Sequence, residues 1–268
     1  MDELIFINKP LINFIKMEVN RIYYNKISPG RQLYHKLDNI IEGILYICKT
    51  GTQIKFTNYK GIPGSALMYH YYKWVSSNIF YNCWVKIYNL YQKKYKYCKN
   101  LCNLSVDCTY IKSMNGNNCV GRNSTDRGRN GNKLSVIVDL IGVPVGYYLE
   151  KANISDCKLL RGTFKNKIYV RKCKSNIYAD KGYASKPCID ISNNNNCRLF
   201  APNKKNFIKK IFTNTSKLTK IRYVVEAQFS WLKSYRRIIL RYDRYINNFK
   251  NFIFLAFSMI TCKKINII

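Results

Sequence analysis

The sequence predicts an α/β protein with a small all-helical amino-terminal domain, residues 1–97, and a strand-containing domain, residues 98–268. Three observations predict it. Apolar and aromatic residues recur at three and four spacings up to about Tyr97, β-rich runs set in after Lys99, and the last third holds a strand ending in an acid followed by a helix carrying another. At 268 residues the chain exceeds one average domain, which allows a sizeable core plus an appended module.

The first region carries its helical periodicity in LDNIIEGILYICKTG and in SALMYHYYKWVSSNIFYNCWVKIYNLYQKKY. Gly51 stands where the earlier helix would close, and Ser65 is placed to cap the next one after the Pro63-Gly64 break. Two helices joined by a turn in a basic protein suit a helix-turn-helix reading a DNA groove, and they suit a plain helical bundle equally well. After Lys99, residues Leu104 to Ile111 form a β-rich run containing Asp107, and Lys133 to Asp139 with Val143 to Glu150 read as a hairpin about Ile141-Gly142. Asp139 is then a turn residue, and Ser155 or Asp156 caps the short helical stretch that follows. SNIYAD is a strand ending at Asp180, Gly182 lets the chain turn sharply beside that acid, and Asn193 to Asn196 form a loop. CRLFAP supplies one more strand, and a long helix is expected from about Leu218 to Tyr242.

Charge narrows the partners. The chain carries 46 Lys and Arg against 14 Asp and Glu, a formal net charge of +32, which attracts polyanions. Part of that excess follows from a Lys-, Asn-, Ile- and Tyr-rich composition of the kind AT-rich coding produces, so the charge supports nucleic acid as partner without proving it. Basic residues are scattered rather than gathered beside an apolar span, and the longest apolar run, Phe252 to Ile260, is about half of a bilayer crossing. No membrane is expected as partner. The Met1-Asp2-Glu3 opening has no basic segment leading into a cleavage site, and the expectation is an intracellular protein located with DNA.

The 11 cysteines form no Cys-x-x-Cys pair and read as reduced thiols packed as small apolar residues. With His35 and His70 the only histidines, zinc hydrolysis and His-based nucleophilic catalysis have almost no residues to work with. Carboxylates and metal remain. Isolated acids stand out in so basic a chain at Asp107, Asp180 and Glu226. On a helix, Arg222, Glu226, Phe229 or Ser230, Lys233 and Arg237 fall on one stripe, where Arg222 and Glu226 alone make an intrahelical pair worth a few tenths of a kcal/mol. Two carboxylates from neighbouring strands and a third from a helix across them would form a compact cluster requiring a divalent cation. Such a cluster suits two Mg²⁺ or Mn²⁺ ions about 4 Å apart, acting on a phosphodiester.

The strings GRNGNKLSVIVDLIGVPVGYYLEKANISDCKLL, YADKGYAS and RYVVEAQFSWLKSYRRIILRYDR resemble the catalytic region of DDE transposases of the bacterial insertion-sequence four and five group. IIEGILYICKTGTQIKFTN and the Trp-containing helix after it are similar, more loosely, to that group's helical domain, so that the resemblance covers roughly Gly30 to the end. It implies a ribonuclease-H-like mixed sheet flanked by helices, with Asp107, Asp180 and Glu226 as catalytic acids and metal ligands. It also implies that Arg222 and Lys233 act on DNA near the reacting phosphate; Lys181, Arg236 and Arg237 complete the candidate DNA contacts. Double-stranded DNA is the implied partner, both element ends and target, with a homodimer on the DNA and Mg²⁺ or Mn²⁺, two ions, as cofactor. The implied reaction is hydrolysis at the element's end followed by attack of the freed 3′-hydroxyl on target DNA. Two readings stay beside it: a transposase-derived DNA-binding protein that no longer cuts, and a metal-dependent nuclease that never joins strands. The sequence departs from the group's pattern at Thr219, where an aromatic is common, and at Ile54, where Trp is common.

Overall fold

A computed structural model describes residues 9–24, 33–95, 103–116, 118–124, 126–168, 174–202 and 215–265; of Tyr24 and of residues 215–220 it describes the backbone alone. The chain divides into two compact units, Met1–Lys94 with Leu232–Ile268, and Tyr95–Trp231. The single boundary expected between residues 97 and 98 lies outside the described residues. The last helix groups with the amino-terminal helices, an association that no local pattern announces.

The helical unit contains α1 (Lys9–Val19), α2 (Leu37–Thr50), α3 (Gly64–Ser76) and α4 (Ile79–Lys94). After α2 come a 3₁₀ turn at Ile54–Phe56 and a short hairpin of β1 (Asn58–Tyr59) and β2 (Ile62–Pro63). Helix α2 closes as expected: Gly51 adopts φ 71 and its N–H donates to the Ile47 carbonyl at 2.9 Å. Ser65 does not cap α3, because Pro63 occupies the cap position and α3 already begins at Gly64. A Cβ at Gly64 would stand 1.7 Å from the Ile54 carbonyl oxygen, so only glycine lets the start of α3 lie against that 3₁₀ turn. The unit is completed by α8 (Arg236–Ile239) and α9 (Ile246–Lys264). Residues Phe249 and Asn251 to Cys262 of α9 are buried around its whole circumference, the signature of a core helix. Its polar members Asn251, Ser258 and Thr261 donate back to carbonyls one turn earlier. Trp84 of α4 stacks on Phe254 at 5.8 Å, and Tyr71 of α3 on Phe252 at 4.4 Å. Among the described residues, no helix is long and apolar enough to cross a membrane.

The second unit is built on β3 (Asn103–Ser113), β4 (Gly121–Asn123), β5 (Arg129–Asp139), β6 (Pro144–Lys151), β7 (Ser175–Tyr178) and β8 (Cys197–Phe200). Across the sheet the order is β6-β5-β3-β7-β8, with β4 beside the start of β5. β5 runs antiparallel to both of its neighbours, β6 and β3, whereas β7 runs parallel to β3 and β8 parallel to β7. Helices α5 (Asp156–Lys165) and α6 (Lys186–Asn193) make the crossovers and pack on the sheet and on each other. Gly162 of α5 lies beneath the Tyr148 ring, 2.5 Å from where its Cβ would be, which brings helix and sheet close together. This mixed, helix-flanked sheet is the ribonuclease-H-like arrangement expected.

Helix α7 (Thr215–Lys233) carries Glu226, and it is shorter than the expected Leu218 to Tyr242. The chain breaks at Ser234-Tyr235 and resumes as α8, with Tyr235 and Arg237 turned into the core of the helical unit. Arg237 pairs there with Asp243 at 2.9 Å, both side chains being buried. The expected stripe from Arg222 to Arg237 is therefore interrupted.

Trp84→Ala is expected to destabilise the protein by about 3–5 kcal/mol, and Gly64→Ala by about 1–3 kcal/mol through overpacking. Urea unfolding midpoints followed by tryptophan fluorescence for Gly64→Ala and by circular dichroism for Trp84→Ala check both; wild-type midpoints would contradict the packing described.

Candidate active site

Strand register brings the first two acids together. Ser105 of β3 lies beside Tyr178 of β7 in a parallel pair, and Asp107 and Asp180 each stand two residues further on. Side chains two apart on a strand share a face, and Asp180 keeps an extended backbone at φ −73 and ψ 166, so the two carboxylates issue on the same side, Asp107 from within β3 and Asp180 from just past the end of β7. Asp107 is half-buried, and its Oδ1 accepts the Cys108 backbone N–H at 2.8 Å. Asp180 opens a 3₁₀ turn, Lys181–Tyr183, in which the Tyr183 N–H returns to the Asp180 carbonyl. That turn, rather than a left-handed glycine, redirects the chain: Gly182 is not among the positive-φ glycines.

The third acid arrives through a cation. Arg222 Nη1 lies 3.3 Å from Asp180 Oδ1, and Arg222 Nη2 lies 3.5 Å from Glu226 Oε1, so one guanidinium is shared by the carboxylate after β7 and the carboxylate on α7. Val225, Gln228 and Phe229 form the buried side of α7 and leave Glu226 exposed. Arg222 Nε is buried and has no hydrogen-bond partner among the described residues.

Burial pushes the Asp107 carboxyl up from its ordinary 3.8 to about 6. The Cys108 N–H and the Arg222 charge oppose that rise, while the charges of Asp180 and Asp156 add to it. Asp107 therefore sits within electrostatic reach of Arg222, Asp180 and Asp156. The three acids do not form a closed cage: among the described residues no group of three or more His, Cys, Asp or Glu side chains is placed to hold a metal ion. Hard carboxylate oxygens that already share one cation are nonetheless the donor chemistry Mg²⁺ and Mn²⁺ take.

The remaining sequence candidates separate. Lys181 is exposed in the turn directly after Asp180, Lys233 is the exposed last residue of α7, and Arg236 is exposed on α8. Arg237 is buried against Asp243. Asp139 holds its turn, with Oδ1 accepting the Ile141 and Val143 N–H groups at 3.0 and 2.9 Å. Asp156 does not cap α5. Ser155 holds the cap position without a side-chain bond, and the Asp156 carboxylate instead pairs with Lys133 at 3.0 Å. Lys133, Cys108 and Tyr183 were invisible as site neighbours in the sequence, because only strand register places them there. Eleven reduced thiols were expected; Cys157 of α5 and Cys188 of α6 are instead joined as a disulfide, their Cα atoms 5.8 Å apart.

A family model described as the transposase DDE domain matches residues 112–261, more than half of the chain. The chain belongs to the transposase DDE domain family. The match contains Asp180 and Glu226 and begins five residues after Asp107. Domains of this family generally use divalent metal ions. A candidate transposase for insertion sequence element IS402 from Burkholderia cepacia is 28% identical over 131 residues, 46% of this chain and 59% of that protein. The chain thus spans less than two thirds of the length of that relative. Among solved structures, a piggyBac transposase synaptic complex with hairpin DNA aligns at a TM-score of 0.48 and 9% identity, covering 97% of this chain and 74% of that one.

The raised Asp107 carboxyl sets a pH signature. In the folded protein the proton stays on to about pH 6, whereas the unfolded chain releases it near 3.8, so with a chelator present this group lowers folding stability as pH rises across that interval. The loss is on the order of 2–3 kcal/mol. Asp107→Asn is expected to lack it, so that denaturant unfolding at pH 4 and pH 7 shows the variant gaining on wild type at the higher pH; an unchanged difference would place the acid in an ordinary solvated setting.

Proposed function

We propose that this DDE-family chain is a transposase that cuts double-stranded DNA at the ends of a mobile element and joins the freed 3′-hydroxyl to target DNA. Asp107, Asp180 and Glu226 are its catalytic acids. The observation carrying this reading is the parallel register of β3 and β7, which sets Asp107 beside Asp180 just past the end of β7, with Glu226 linked to Asp180 through the Arg222 guanidinium.

The three carboxylates would hold Mg²⁺ or Mn²⁺, two ions in the reading adopted here, whose Lewis acidity lowers the pKa of an attacking water or hydroxyl and stabilises the leaving oxygen. The chain's own residues do the rest. Asp107, whose carboxyl burial pushes up to about 6, is an anionic donor above that pH. Arg222 holds Asp180 and Glu226 in register until their charge is claimed. Lys181 and Lys233 lie next to an acid in sequence or on the same helix and would contact the DNA backbone, with Arg236 adding a further exposed cation. Arg237 leaves the list of DNA contacts, since its charge is already matched inside the protein. The helical unit is assigned to DNA binding. Joining two ends in one reaction needs two active sites, so a homodimer on DNA is proposed, in the compartment that holds the DNA.

Asp107→Ala, Asp180→Ala and Glu226→Ala are each expected to lower Mg²⁺-dependent nicking of duplex DNA about 10³-fold, the equivalent of several kcal/mol of lost transition-state stabilisation. Nicking that survives in any one of them removes that residue from the mechanism. Cleavage without joined products in a strand-transfer assay would favour the nuclease reading; binding without cleavage at any Mg²⁺ or Mn²⁺ concentration would favour the DNA-binding descendant. Affinity for duplex DNA is expected to fall steeply between 50 and 200 mM salt, roughly 10³-fold or more if six or more phosphates are contacted.

A further inference from the structure

The turn that carries Asp180 is approached from the face of the sheet opposite Asp107. Residues directly across an antiparallel pair share a face, so Lys133, opposite Tyr110, lies with Tyr110 and Cys108 on the side away from Asp107. Lys133 Nζ donates there to Asp156 Oδ1 and to the Ile154 carbonyl, each at 3.0 Å, which fixes the loop entering α5. Asp156 Oδ2 in turn lies 3.9 Å from where a Gly182 Cβ would stand, in the middle of the Lys181–Tyr183 turn. Two further links act on the same segment. The Tyr183 hydroxyl meets Cys108 Sγ at 3.2 Å, next in sequence to Asp107, and Cys157 meets Ser185 Oγ at 3.6 Å while joined to Cys188.

We propose that Asp156, locked by Lys133, is a positioning residue that sets the Lys181–Tyr183 turn and thereby the distance of Asp180 from Asp107. This rests on the reading of Asp180 and Asp107 as metal-binding acids. Asp156 is not a fourth ligand: its ion pair with Lys133 holds it on the other side of the strand. Its effect reaches the site through the backbone of the turn, as outer-shell partners of metal ligands do, and loss of such a partner weakens metal affinity about 10–100-fold.

The test uses Mn²⁺ alone, titrated into the full chain and followed by electron paramagnetic resonance of the free ion, with far-ultraviolet circular dichroism and thermal midpoint recorded alongside. Wild type is expected to bind, Asp180→Asn to lose binding, and Asp156→Asn to bind at least fivefold more weakly with its circular dichroism spectrum retained. Lys133→Met, which keeps the carboxylate but removes its lock, is expected to weaken binding similarly, and Lys133→Arg to restore it. The Asp156→Asn, Lys133→Met double variant is expected to be no worse than the weaker single one. If wild type binds no Mn²⁺, or Asp180→Asn binds like wild type, the metal-site reading fails. If Asp180→Asn loses Mn²⁺ while Asp156→Asn and Lys133→Met stay within fivefold of wild type, that reading stands and the positioning role is overturned. Should Asp156→Asn unfold, Lys133→Met with its Lys133→Arg rescue decides by the same threshold.

Discussion

Parallel pairing of β3 with β7 is the constraint on which the candidate site depends. A strand's side chains alternate, so a one-residue slip in that pairing would send Asp180 to the opposite face from Asp107. The register is held from both directions: Leu104 and Ile177 are fully buried partners, and at the open end Asn176 Nδ2 donates to Asn103 Oδ1 at 3.0 Å. β5, buried over nearly its whole length, makes β3 an interior strand with nowhere to shift. The first acid is thus as rigid as the sheet and the second follows directly from its strand end, whereas the third is linked to the second through Arg222.

Few carboxylates in a chain of net charge +32 means that each one faces a surplus of cations. Where the fold needs an acid for itself, it buries it with dedicated partners. Glu18 sits between Arg21 and Lys86, and Asp243 sits against Arg237. Such buried pairs add little net stability over apolar packing, yet breaking one strands a charge, so they specify where segments meet. Asp180 and Glu226 are different. Both are about half exposed and share one arginine, an arrangement that contributes little to stability and leaves their oxygens within reach of another cation.

Much of the fold was legible because it is written in local patterns. β-rich runs gave β3, β5 and β6, the Ile141-Gly142 turn followed from Asp139 and a glycine, and Gly51 marked the end of α2. The errors arose where tertiary packing outweighed local preference. Helix α7 stops nine residues short of the expected Tyr242 because Tyr235 and Arg237 are more stable buried in the helical unit than continuing an exposed stripe. Asp156 looked like a cap because it precedes a helix, but a lysine 23 residues earlier in the chain claims its carboxylate.

By itself the sequence determined the chemistry available: hard oxygen donors, abundant cations, almost no histidine, and motif strings that place three acids in a known order. Residue type and spacing suffice for that, since they are properties of the chain before it folds. Tertiary structure alone decided which acid stands beside which, that Arg222 joins two of them, and that Lys133 pairs with Asp156 next to the turn. Those relations depend on strand register, set by long-range burial that no short window of sequence contains.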